Sequence, residues 1–259
     1  MKVWNGGIMV YIDAHCHLGS RQFDKDRNEM IARMLEKNVT KAIIICCSEH
    51  DLEHGIRLRN ENPGFKLAMG IHPQDLEEDN KPERMMRFRE IAEKIKPDMI
   101  GEIGLDYYSH RHTKEYQKAF FISQLKLAAE LDLPVDIHSR RAAGDTYEIL
   151  KQYPARGIIH SYSGSAEMAA LYIRLGYAIS FGASVLFPNA KRPAEVIASV
   201  PLDQLLTETD APYQSPVKNH RHEPADVLNI YKAVSGIRQM EPEALEAAVE
   251  RNFDRMFSH

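Results

Sequence analysis

Only three cysteines stand in 259 residues, Cys16, Cys46 and Cys47, and no two have the CxxC spacing. That scarcity excludes a disulfide scaffold and a cysteine zinc knuckle. It leaves a reducing, cytoplasmic setting as the expectation. No apolar run approaches the ~20 residues of a membrane span; runs such as residues 42–47 are strand-sized. The first residues lack the apolar stretch of a signal peptide, so no membrane partner is expected. No GxGxxG loop follows the first apolar run, which argues against a dinucleotide-binding sheet. Positive charge is not in excess either. With 33 Lys and Arg against 37 Asp and Glu the net charge is −4, so a nucleic acid could be held only by a local basic patch. No low-complexity tract or linker divides the chain, and no feature demands an obligate protein partner. It reads as one domain over residues 1–259.

What is present is a recurring unit: a short apolar run, a loop, then a longer amphipathic stretch. Eight runs qualify as strands, at 10–15, 41–47, 66–71, 99–104, 134–138, 157–160, 178–182 and 205–208. Apolar residues at helical spacing predict helices over 29–37, 82–94, 115–131, 145–151, 166–175 and 193–199, and after the last strand over 224–234 and 242–256. Strands alternating with helices imply a buried parallel sheet. Eight repeats in a chain of this length favour closure into an α/β (β/α)8 TIM barrel over an open sheet.

Buried parallel strands should be apolar throughout. Polar residues at their C-terminal ends therefore need a reason, and that end is where barrel active sites sit. The first strand ends in His15-Cys16-His17. Side chains alternate along a strand, so the two imidazoles share a face and Cys16 points away as a packing residue. The third strand runs into His72, the fourth carries Glu102 between glycines, the fifth and sixth end in His138 and His160, and the eighth runs into Glu208-Thr209-Asp210. A carboxylate in Glu102's apolar setting is costly unless it meets a cation. His15, His17, Glu102, His138, His160 and Asp210 together make an oxygen- and nitrogen-rich set suited to two divalent cations sharing Glu102, with Mg, Mn, Zn, Co and Ni all conceivable. Asp210 is the expected general base and Glu208, two residues earlier, an acid that orients a ligand or a core ion-pair partner.

Six ordered motifs span nearly the whole chain: Ile12-Asp13-Ala14-His15-Cys16-His17-Leu18, Gly70-Ile71-His72-Pro73, Gly101-Glu102-Ile103-Gly104-Leu105-Asp106-Tyr107-Tyr108, Ile137-His138-Ser139-Arg140, His160-Ser161-Tyr162-Ser163-Gly164-Ser165 and Glu208-Thr209-Asp210-Ala211-Pro212-Tyr213. Together they resemble the TatD family of metal-dependent deoxyribonucleases, within the amidohydrolase-like barrels. The resemblance implies divalent-metal-dependent hydrolysis of DNA phosphodiesters, often from a 3′ or 5′ end, with the six ligands above and His72 against phosphate. The sequence departs from the family's usual pattern in three places. Arg141 stands where an acid is common, Ser161-Tyr162 where Cys-Phe is common, and Arg221-His222-Glu223-Pro224 where Arg-Asn-Glu-Pro is common. Family members often begin near Met9, which makes residues 1–8 an expected extension.

Basic residues recur in the loops after strands: Arg21, Arg111, Arg140, Arg141, Lys191, Arg192, Lys218 and Arg221. On a barrel these loops share one face, so they would form a basic rim for a phosphate backbone; Arg140 and Arg221 are the expected substrate contacts. Tyr108, Tyr162 and Tyr213 are candidates for base stacking. Two other readings stay open. One is a metal-dependent hydrolase of another bond, such as a D-aminoacyl-tRNA ester deacylase or an amidohydrolase. The other is a non-catalytic binding protein that keeps metal for structure.

Overall fold

A computed structural model describes residues 9–76, 81–109, 111–187 and 190–258; the expected extension 1–8 lies outside the described residues. Eight strands alternate with helices in chain order. The strands are β1 (Tyr11–Cys16), β2 (Val39–Cys46), β3 (Phe65–Met69), β4 (Met99–Asp106), β5 (Val135–Arg140), β6 (Gly157–Ile159), β7 (Tyr177–Phe181) and β8 (Leu205–Thr207). The helices are α1 (Arg27–Glu36), α2 (Glu49–Glu61), α3 (Lys81–Ile95), α4 (Lys114–Glu130), α5 (Ala143–Gln152), α6 (Ala166–Arg174), α7 (Lys191–Ser199), α8 (Val227–Arg238) and α9 (Pro242–Phe257).

Neighbouring strands pair in parallel in the order β1 to β8. Closure is made just past the ends of β8 and β1, where Asp210 N donates to His15 O at 2.9 Å and His17 N donates to Ala211 O at 2.7 Å. The (β/α)8 barrel expected from the sequence is the fold observed. Every residue of β4 and β7 is buried, as strands covered on both faces must be. The apolar core is continuous from the barrel strands to the inner faces of the surrounding helices. Within it lie buried acids that no apolar core explains: Asp13, Glu102, Asp106, Asp136 and Glu208.

The helix α2 lies outside the helices expected from the sequence. Its thirteen residues contain three large apolar side chains, Leu52, Ile56 and Leu58, and a central Gly55, so its helical period is faint. Gly55 is there because a Cβ would come within 2.6 Å of Cys46 Sγ and 2.8 Å of Leu67 Cδ1, so the helix rides directly on β2 and β3. Ser48 caps it by accepting from Asp51 N at 3.2 Å. Among the described residues no helix is long and apolar enough to cross a membrane.

Candidate metal centre

All six ligand candidates and His72 gather at the C-terminal mouth. His15 comes from β1 and His17 from the residue after it. His72 lies in the loop after β3, Glu102 in β4, His138 in β5, His160 directly after β6 and Asp210 beyond β8. They line, or lie just beneath, a cavity of about 680 Å³. Gly104 keeps this packing open. Its φ is +140°, and a Cβ would run into the His138 carbonyl oxygen, holding β4 away from β5 just beyond Glu102.

The donor atoms fall into two clusters, one on each oxygen of Glu102. On the Oε2 side, His15 Nε2 and His17 Nε2 are 3.3 Å apart. Each is 3.7 Å from Glu102 Oε2, and they lie 3.5 and 3.3 Å from Asp210 Oδ1. A tetrahedral ion with bonds of about 2.0–2.2 Å sets its donors about 3.3–3.6 Å apart. Five of the six edges of such a tetrahedron are therefore close to coordination spacing. On the Oε1 side lie His138 Nδ1 at 2.7 Å, His160 Nε2 at 2.8 Å and His72 Nε2 at 3.5 Å. The His138 and His160 nitrogens are 3.2 Å apart. These residues fit the divalent cations that their donor types imply: both clusters are of nitrogen and oxygen with no thiolate. His72, expected against phosphate, thus reaches the second cluster while also lining the cavity.

Three of the imidazoles are backed by a carboxylate on their other nitrogen. Asp136 holds His15 Nδ1 at 3.1 Å, Asp106 Oδ2 lies 3.4 Å from His138 Nε2, and Glu208 Oε1 lies 3.4 Å from His160 Nδ1. Such carboxylates fix the ring orientation and raise the basicity of a ligating imidazole. Glu208 is where sequence reasoning put an orienting acid. Asp136 and Asp106 were not anticipated, although a charge between Val135 and Ile137 in a buried strand was the available signal. Asp106 Oδ2 also accepts from Gln74 Nε2 at 2.5 Å, and its Oδ1 accepts from Tyr108 N and Ser109 N at 2.9 Å each.

Asp210 sits at φ 60°, a strained setting for a non-glycine residue. The turn is held from below by Asp13, whose carboxylate accepts from Thr209 N at 2.9 Å and Thr209 Oγ1 at 2.5 Å. Burial pushes the Asp13 carboxyl up to about 7. From above, Gln214 Nε2 donates to Asp210 Oδ2 at 2.5 Å and to Ser161 Oγ at 2.9 Å. His222 is fully buried, its Nδ1 3.1 Å from the Tyr213 carbonyl, and burial lowers its pKa.

Burial opposes charge on Glu102, but the imidazoles of His160 and His72 and hydrogen bonds from His138 and His160 outweigh it and hold the carboxyl well below its usual range. Burial and the neighbouring His15 oppose protonation of His160; Glu102 and Glu208 outweigh both and push it up to about 10. His15 is likewise buried, yet Asp136 raises its pKa well above the ordinary value. Ligation needs the neutral ring, so a cation would have to displace these protons.

The rim is less basic toward the cavity than the sequence suggested. Arg140 lines it. Arg221 is instead tied to Asp26 at 2.7 and 2.6 Å, to Glu223 at 2.8 Å and to the Gln22 carbonyl at 2.8 Å, with its guanidinium over the Phe23 ring. It pins the loops after β8 and β1 together. Of the three tyrosines, Tyr108 and Tyr213 are exposed, whereas Tyr162 is buried with its hydroxyl donating to Ser165 O at 2.6 Å.

A closed parallel barrel with such a donor set at the C-terminal ends of its strands is the architecture of the metal-dependent hydrolase barrels. The chain belongs to the TatD family: the family model described as TatD related DNase matches residues 12–258. It is similar to an uncharacterized metal-dependent hydrolase of Bacillus subtilis, YabD, at 34% identity over 253 residues, covering 96% of this chain and 99% of that one. YcfH of Escherichia coli, also an uncharacterized metal-dependent hydrolase, is 30% identical over 257 residues, covering 96% of each chain. The crystal structure of YjjV, a TatD homologue from Escherichia coli, superposes with a TM-score of 0.88 at 28% identity, covering 95% of this chain and 97% of that chain.

Proposed function

We propose that this metal-dependent hydrolase cleaves phosphodiester bonds of DNA at or near a strand end, with two divalent cations that His15, His17, Glu102, His138, His160 and Asp210 would hold. The observation that carries the reading is the division of Glu102's two oxygens between two sets of nitrogen and oxygen donors at coordination spacing. His15, His17 and Asp210 would hold one cation, and His138 and His160, with His72 within reach, the other. Bound there, the cations would supply Lewis-acid polarisation of a phosphoryl oxygen and make water a better nucleophile near neutral pH.

The chain's own groups supply the rest. Asp210 is positioned to take the proton of the attacking water, with its Oδ2 oriented by Gln214. Asp136 holds the His15 ring, and Asp106 and Glu208, 3.4 Å behind His138 and His160, are placed to orient those rings when they ligate. Arg140, at the cavity wall, offers a planar guanidinium to a phosphate. His15 is fully buried and Glu102 is only 4% exposed at the floor of the cavity, a recess that favours a strand end over an intact duplex. The family's description as DNase-related supports DNA as the polymer.

Mixing the protein with end-labelled single- and double-stranded DNA, with Mn, Mg or Zn and with a chelator, tests the reading. Metal-dependent release of short products from an end is expected. Hydrolysis of an aminoacyl-tRNA ester with DNA left intact would replace this substrate by the ester.

A further inference from the structure

Arg140 and Arg141 are consecutive, yet both guanidiniums pack on one ring: their carbons lie 4.1 and 4.7 Å from the Tyr108 centroid. In an extended strand two consecutive side chains point to opposite faces. Here Arg141 has φ 54°, a left-handed backbone that ends β5 and swings its side chain onto the same ring as Arg140. The backbone that carries the ring is held in place. Asp106 accepts from the backbone N–H of Tyr108 and Ser109, and Tyr107 N donates to Arg140 O at 2.9 Å, so the loop after β4 is fastened to the end of β5.

Both arginines and Tyr108 are exposed. Among the described residues no carboxylate lies within ion-pair distance of either guanidinium, whereas Arg27, Arg33, Arg156 and Arg221 all have such partners. Two like charges gathered on one aromatic ring, with no carboxylate at ion-pair distance among the described residues, form a preorganised anion site. The geometry points to the anion. Arg140 stands two residues beyond His138 on β5, roughly 7 Å along the strand, a span that one sugar–phosphate repeat can cross.

We infer that Arg140, Tyr108 and Arg141 form a second phosphate site that grips the DNA phosphate next to the one at the metal centre. The inference rests on the DNA reading above and deepens it: the substrate is a strand carrying at least two consecutive phosphates. Arg141 and Tyr108 act in binding and take no part in the bond cleavage.

The test is an equilibrium titration of the metal-loaded protein with a fluorescent 5′-phosphorylated single-stranded DNA whose phosphorothioate linkages resist hydrolysis, from about 50 to 200 mM salt. Arg141→Asn is suited to φ 54°, since Asn tolerates the left-handed region. It should bind about tenfold more weakly, with the slope of log affinity against log salt smaller by about 1. Tyr108→Leu should weaken binding while leaving the slope unchanged, because both charges remain. Lys151→Ala, which removes one charge from the last turn of α5, should match the wild type in both readouts. Equal slopes for wild type and Arg141→Asn, or no binding of the strand by wild type, overturn the second site. The metal-dependent hydrolysis assay judges the centre separately, so either conclusion can fail with the other standing.

Discussion

The Asp136 carboxylate stands directly behind His15, its two oxygens 3.2 and 3.1 Å from Nδ1, and both side chains are fully buried. With Nδ1 committed to Asp136, Nε2 is turned toward His17, Glu102 and Asp210. Replacing Asp136 by Asn should keep the fold but lower cation affinity about 10–100-fold. Competition with a chromophoric chelator measures this, and unchanged affinity would remove Asp136 from the centre.

Asp210 has two proposed roles, cation ligand and general base, that a conservative change separates. Asp210→Asn keeps one oxygen near His15 and His17 but cannot accept a proton. The expected result is bound metal with kcat lowered about 10²–10⁴-fold, read by metal analysis and turnover on one sample. Wild-type turnover would mean another group is the base.

Gly104 should be intolerant of any side chain, since its φ is +140° and a Cβ would strike the His138 carbonyl. Gly104→Ala should cost on the order of 3 kcal/mol or more, seen as a lower midpoint of urea unfolding. A shift under about 0.5 kcal/mol would show that β4 and β5 can part freely.

Acid stability should depend on Asp26. Hydrogen bonds from Arg221 and then Arg33 lower its carboxyl from 3.8 to about 2. A carboxyl depressed by folding stabilises the native state above its unfolded pKa, and this contribution is lost as pH falls from about 4 through about 2. The site is 31% exposed, so screening trims the effect to about 1 kcal/mol. Asp26→Asn should therefore lose stability at pH 7 and show a flatter decline between pH 4 and 2. An unchanged acid limb would count against the Arg221 clamp.

The strands were legible because parallel strands buried on both faces read as apolar runs, and the candidate ligands because each is a polar residue set within or just beyond such a run, Glu102 in the middle of β4 and the others near or past a strand's C-terminal end. The helix α2 was not, because a surface rich in charge and a packing glycine blurred its period; Ser48 and Asp51 carried the remaining trace, as a cap. Asp136 and Asp106 escaped notice because the acids behind a ligand sit where sequence shows only an oddity, with the partner 121 residues away in the case of His15. Arg221 illustrates the opposite error. Its place in a rim loop suggested substrate, but its neighbour in space is Asp26, 195 residues earlier, and that pairing is invisible in one dimension.

Crystals grown with Mn and measured at its absorption edge would locate the cations by anomalous scattering. Two peaks about 3.5–4 Å apart are expected, one among His15, His17, Asp210 and Glu102 Oε2, the other beside Glu102 Oε1 with His138 and His160. A single peak that leaves one Glu102 oxygen without a cation, or no peak at this mouth, would contradict the bridged centre.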